Sequence, residues 1–159
     1  MATAISTRIT LSGQPPRKLI CGTAAIREEW TGRIVLAIGC SSGDCIRDVN
    51  ICFPQHADGR FVYDVVDQNG DPVDVVDSRV RYIIAESVRG TILIEKDSDQ
   101  NDISFPSASK MQWDLSSAES GALPARSLYH ELLITTTGGD QRFGFAGRFQ
   151  VQDTRILDT

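Results

Sequence analysis

The residues able to do chemistry fall into four groups. The first is GCSSG, Gly39 to Gly43, which has the G-x-S-x-G spacing of a nucleophile elbow and would expose Ser41 on a strained strand-to-helix turn. That motif needs an amphipathic helix immediately afterwards. The next stretch, DCIRDVNICFP, instead alternates as a strand with Val49, Ile51 and Phe53 on one face, so Ser41 and Ser42 read as turn residues. The second group is His56 and His130. They are far apart in the chain and lack the short-spaced ligand pair that a zinc site uses, and the alternation leaves open which face of its strand His130 occupies. The third is the recurring aspartates, Asp67, Asp71, Asp97, Asp99, Asp102 and Asp140. None follows the D-x-D-x-D-G order of a calcium loop, and they read as solvated turn formers.

The fourth group is Cys21, Cys40, Cys45 and Cys52, all in the N-terminal third. No C-x-x-C pair occurs among them. In a cytosolic product the default reading is a reduced, buried thiol packing as a small hydrophobe, with a disulfide or a metal site as less frequent readings. The expectation is therefore no enzyme, no metal and no cofactor.

The composition agrees with this reading. In 159 residues, 21 acidic side chains exceed 16 basic ones, for a net charge of −5, and no basic cluster of the kind that follows a nucleic-acid backbone occurs. No apolar run approaches the roughly 18 residues of a membrane span, and MATAISTRITLSG lacks the basic-then-apolar order of a secretory signal. The chain reads as soluble, made in the cytosol, with neither nucleic acid nor membrane as a partner.

The elements that would carry these residues are strands. Leu132 to Thr137, the reversal at Gly138, Gly139 and Asp140, and Gln141 to Val151 read as a β-hairpin. Phe143, Phe145, Phe149 and Val151 share its buried face, with Gly147 a bulge or a point of close approach. Upstream, FVYDVV, RVRYIIAE, TILIEK, ISFP and KMQWDL are strands separated by polar turns, with Val80, Tyr82 and Ile84 on one face and Met111, Trp113 and Leu115 pointing inward. About seven short strands at roughly ten-residue intervals predict an all-β antiparallel sandwich. Helix is expected only at Ser116 to Ser120, where Ser116 and Glu119 have capping-box spacing and Gly121 closes the turn, and in one or two turns over Thr23 to Trp30. Arg33 to Cys40 reads as a buried strand.

The polar loop Pro54 to Arg60 is the clearest internal boundary, which divides the chain into an N-terminal arm with an added β layer, 1–55, and a sandwich domain, 56–159. Within the first part, Ile5, Thr7, Ile9 and Leu11 line one side of an alternating stretch that ends at Pro15 and Pro16. Such an arm suits either an edge strand of its own domain or strand addition to a neighbouring subunit, and those four residues are the candidate partner-binding site.

Several segments together resemble a known family. They are YDVVDQNGDPVDV, with Asp67, Gly70, Pro72 and Asp74; the stretch carrying Leu115, Ser116, Glu119, Leu123 and Pro124; Tyr129; and Gly147, Phe149 and Val151. In this order they resemble the immunoglobulin-like domains of tailed-phage virion proteins, and are similar to the N-terminal domain of siphophage upper baseplate proteins. The resemblance covers roughly residues 60 to 156 and leaves the first 55 or so, with all four cysteines, unmatched. It implies an immunoglobulin-like sandwich working as a non-enzymatic virion component that docks to other virion proteins at the tail, baseplate or fibre attachment, in a homo-oligomer or symmetric multi-copy assembly. A capsid decoration protein is the nearest alternative. A carbohydrate- or receptor-binding module using Trp30, Trp113 and tyrosines, and a small serine hydrolase using Ser41, are more distant ones.

Overall fold

The computed structural model describes residues 27–35, 44–67, 69–139 and 142–153. They form an all-β domain of two mixed sheets. The first sheet has the order β1-β4-β8-β7, from β1 (Arg27–Val35), β4 (Asp58–Val66), β8 (Lys110–Leu115) and β7 (Ser104–Ser107). The second runs β10-β9-β5-β6, from β10 (Arg142–Gln152), β9 (Ser127–Thr135), β5 (Arg79–Ala85) and β6 (Ile92–Asp97). Both β2 (Asp44–Asp48) and β3 (Ile51–Pro54) pair with the other edge of β10.

Strand positions follow the period-two pattern because one face of each strand must leave water. Met111, Trp113 and Leu115 are buried on β8, Val80, Tyr82 and Ile84 on β5, and Phe143, Phe145, Phe149 and Val151 on β10. The two sheets share one core. Trp113 stacks on Phe61 and Tyr63 at 5.5 and 5.2 Å and meets Tyr82 of the other sheet at 4.8 Å, while Tyr63 meets Phe145 at 5.3 Å. Contacts of this kind between facing rings add to the area that each removes from water.

The antiparallel expectation holds for the strands from β4 onward and fails at the edges. β1 runs parallel to β4, and β2 and β3 run parallel to β10. Local alternation carries no information on strand direction, which depends on where the intervening chain crosses between sheets. Arg27 to Trp30, expected to be helical, is the start of β1, because pairing with β4 supplies its backbone partners. The Pro54 to Arg60 stretch is shorter as a loop than expected: Pro54 ends β3 and Asp58 begins β4, with the reversal made by a left-handed His56 at φ 66°. Gly147 makes no bulge, since the β9–β10 register is unbroken.

The one α-helix among the described residues, α1 (Ser117–Ala122), has the predicted capping box. The Ser116 hydroxyl accepts from the Glu119 amide and the Glu119 carboxylate accepts from the Ser116 amide, each at 3.1 Å. It continues past Gly121 and is capped at Leu123. A 3₁₀ turn at Ser98–Gln100, not anticipated from the sequence, follows β6.

Candidate functional site

Of the two histidines, His130 is committed to the framework. His130 is fully buried on the Leu132 and Ile134 face of β9. Its Nε2 lies 2.8 Å from the Val49 carbonyl and its Nδ1 3.1 Å from the Tyr82 hydroxyl. A carbonyl only accepts, so Nε2 carries the proton, Nδ1 accepts from the tyrosine, and the ring is neutral. Burial pushes its pKa down to about 4, against a smaller opposing effect of the Val49 hydrogen bond. Tyr82 is raised well above its ordinary value, first by burial and then by the neighbouring Tyr63.

This cluster also explains why the edge strand breaks. Between β2 and β3, the Val49 amide donates to the Ala146 carbonyl at 2.9 Å while its own carbonyl turns to His130. The Asn50 side chain accepts from the Arg148 amide at 2.9 Å. A Cβ at position 147 would collide with the Val49 carbonyl, so Gly147 is the close-approach point that the sequence reading held open.

His56 is elsewhere. It is exposed on the β3–β4 turn, its ring lying over Gly121 of α1, where a side chain would strike it. The two histidines are not brought together. Ser41 and the arm residues Ile5, Thr7, Ile9 and Leu11 lie outside the described residues, as does Asp140. The strand β2 begins at Asp44, directly after the Gly39–Gly43 stretch, where a nucleophile elbow would need a helix.

Among the described aspartates, Asp67 and Asp102 accept from backbone amides of turns. Asp67 accepts from the amides of Asn69 and Asp71 at 2.9 and 3.0 Å, closing the turn in which Gly70 takes φ 83°. Asp97 is buried and paired with the Arg79 guanidinium at 2.7 Å. That hydrogen bond, opposed by burial and helped by the Asp99 amide, holds its pKa below the ordinary carboxylate value. Among the described residues no group of three or more His, Cys, Asp or Glu side chains could hold a metal ion.

Two further features escaped the sequence reading. Lys96 of β6 and Glu119 of α1 form a partly buried ion pair at 2.7 Å. Burial works against the Glu119 charge, but the Lys96 and Ser116 hydrogen bonds outweigh it and hold the pKa low. The helix is also tied to the β3–β4 turn, where Ser120 donates to the Ala57 carbonyl at 2.7 Å and the Ser117 amide donates to Asp58 at 2.8 Å. No spacing in the sequence announces pairs this distant. Trp113, the best aromatic candidate for stacking on a sugar, is 2% exposed in the core.

Cys52 departs from the default reading of a reduced thiol: it is buried and disulfide-bonded. What faces solvent instead is strand edge. β6 has no second neighbour among the described residues, and the exposed Ile92 and Val88 lie on it and on the turn before it.

These features define an all-β domain whose described histidines, aspartates and aromatics serve packing and turns. No protein-family model and no curated protein matches the chain. Among solved structures, the chain is similar to the N-terminal domain of phage TP901-1 ORF48, with a TM-score of 0.43 and 11% identity over 77% of this chain and 98% of that one.

Proposed function

We propose that this chain is a non-enzymatic structural component of a tailed-phage virion, an immunoglobulin-like sandwich that docks to other virion proteins at the tail, baseplate or fibre attachment. The observation that carries the reading is that the segments resembling phage virion domains are those on which the fold depends. Asp67 and Gly70 build the opening turn, Pro72 bridges to Val66, and Asp74 accepts from the Val76 amide. Leu115, Leu123, Phe149 and Val151 are core, and Ser116 with Glu119 caps α1. A resemblance confined to exposed, freely variable positions would carry much less weight.

Docking falls to the arm and the open edges. Ile5, Thr7, Ile9 and Leu11 form an apolar side that adds a strand to a neighbouring subunit in a homo-oligomeric or multi-copy assembly, covering an edge that would otherwise invite aggregation. Labelling the chain in purified particles tests the reading. Tail or baseplate location supports it, head location replaces it with capsid decoration, and absence from particles overturns it. Deleting residues 1 to 14 should abolish incorporation and leave the unfolding midpoint unchanged. Normal occupancy after deletion, or a loss of several kcal/mol in stability, removes the arm from the docking role.

A further inference from the structure

We propose that the Asn69–Gly70 bond is a site of spontaneous backbone modification, deamidation through a cyclic imide, which the Asp67 turn holds in check. The chain has three asparagines, Asn50, Asn69 and Asn101, and the structure separates them. Imide formation requires the amide nitrogen of the following residue to reach the asparagine Cγ, so the bulk and the hydrogen bonds of that following residue decide the rate.

Asn50 and Asn101 are closed to this chemistry. The Asn50 side chain accepts from the Arg148 amide at 2.9 Å, and Ile51 after it is β-branched, buried and paired within the sheet opposite Phe149. Asn101 ends the 3₁₀ turn at φ 62°, and Asp102 after it exchanges hydrogen bonds with Asp97 in both directions, at 3.1 and 3.3 Å. Asn69 is open. It and Gly70 are both exposed, Gly70 has no side chain to screen its nitrogen, and a Cβ there would meet nothing closer than the Arg33 guanidinium at 4.0 Å.

The reaction needs only base and water. The Gly70 nitrogen, having given its proton to base, bonds to Asn69 Cγ; the bond from Cγ to the side-chain nitrogen breaks, and ammonia leaves with the proton returned. Water then adds to either imide carbonyl and breaks its bond to the Gly70 nitrogen. Opening at Cγ leaves aspartate, and opening at the backbone carbonyl leaves isoaspartate. The net change turns a side-chain amide and water into a carboxylate and ammonium.

Asp67 supplies the restraint. The Gly70 N–H donates to the Asp67 carbonyl at 3.0 Å, while the Asp67 carboxylate accepts from the amides of Asn69 and Asp71 at 2.9 and 3.0 Å. Turning the Gly70 nitrogen toward Asn69 Cγ breaks the first of these bonds and moves backbone that the other two fix. The isoaspartyl product does not fit the same turn. Its backbone carries one more carbon, about 1.5 Å of added length, inside a loop closed by the Asp67–Asp71 hydrogen bond at 2.9 Å and the Val66–Pro72 bridge. The site does not depend on the virion reading, and its test needs no particles.

The test incubates the full-length chain in mildly alkaline buffer, followed by reduction, alkylation and tryptic peptide mapping over time. Asn69 falls in peptide 61–79, Asn50 in 48–60 and Asn101 in 97–110. The expected result is conversion of 61–79 alone to aspartyl and isoaspartyl forms, several-fold more slowly than in a synthetic peptide 61–79. Asp67→Ala should speed the conversion several-fold, whereas Asp74→Ala, which removes a side-chain acceptor from the Val76 amide in the same loop, should leave it at the wild-type rate. Conversion first at Asn50 or Asn101, or none at Asn69 while the free peptide converts, overturns the site. Equal rates in the folded chain and the free peptide, or equal acceleration by both substitutions, overturn the restraint by Asp67.

Discussion

Acidification should weaken this domain through His130 before its paired carboxylates titrate. The imidazole is neutral in the fold, with a pKa of about 4 against the ordinary value of 6.5, because protonation would place a charge among Phe145, Phe149 and Tyr82. The unfolded chain therefore binds a proton that the folded chain refuses. Stability falls as pH drops through the interval between the two values, and above it the effect is absent. With those pKa values, the loss between pH 7 and pH 4.5 is about 2 kcal/mol, a large share of the stability of a small domain. Asp97 and Glu119, both held below their ordinary values, lose their contributions as pH falls from the unfolded carboxylate range through their folded values, so most of their effect comes lower. Urea unfolding at half-unit steps from pH 7.5 to 4.5 measures the slope. In His130→Gln the slope over that interval should shrink to the small remainder from the carboxylates, whatever the absolute stability. A wild-type loss below about 0.5 kcal/mol, or the same slope in the variant, refutes the assignment of a buried neutral imidazole.

The same unfolding assay checks three other expectations. Phe149→Ala should cost about 3 to 5 kcal/mol through lost burial and the cavity left beside Phe53 and His130, whereas Arg148→Ala, exposed on the opposite face, should cost under about 0.5 kcal/mol; equal losses would mean that the facing of β10 is wrong. Gly147→Ala should destabilise by about 1 to 3 kcal/mol, because its methyl group meets the Val49 carbonyl, a backbone atom that yields only if β2–β3 moves off β10. Ser116→Ala should cost about 1 kcal/mol by leaving the Glu119 amide without its cap, measured as a shifted urea midpoint at unchanged slope.

Alternation in the sequence by itself determined which residues of β5, β8 and β10 are core. Burying one face of a strand is a local, period-two requirement that any partner sheet satisfies. The Ser116–Glu119 cap and the Asp67–Gly70 turn were legible for the same reason, since their hydrogen bonds close within a few residues. Strand direction was not legible. The parallel pairing of β1 with β4 and of β2–β3 with β10 depends on how the chain crosses between sheets, and a run such as REEWTGRIV reads the same whichever way its neighbour points. Nor could the roles of His130 and Cys52 be read locally. The imidazole is a framework residue because Val49, 81 positions away, turns its carbonyl inward, and the disulfide-bonded state of Cys52 follows from no local spacing. Contacts at that separation exist only once the two sheets have closed over one core, so only the tertiary structure could decide them.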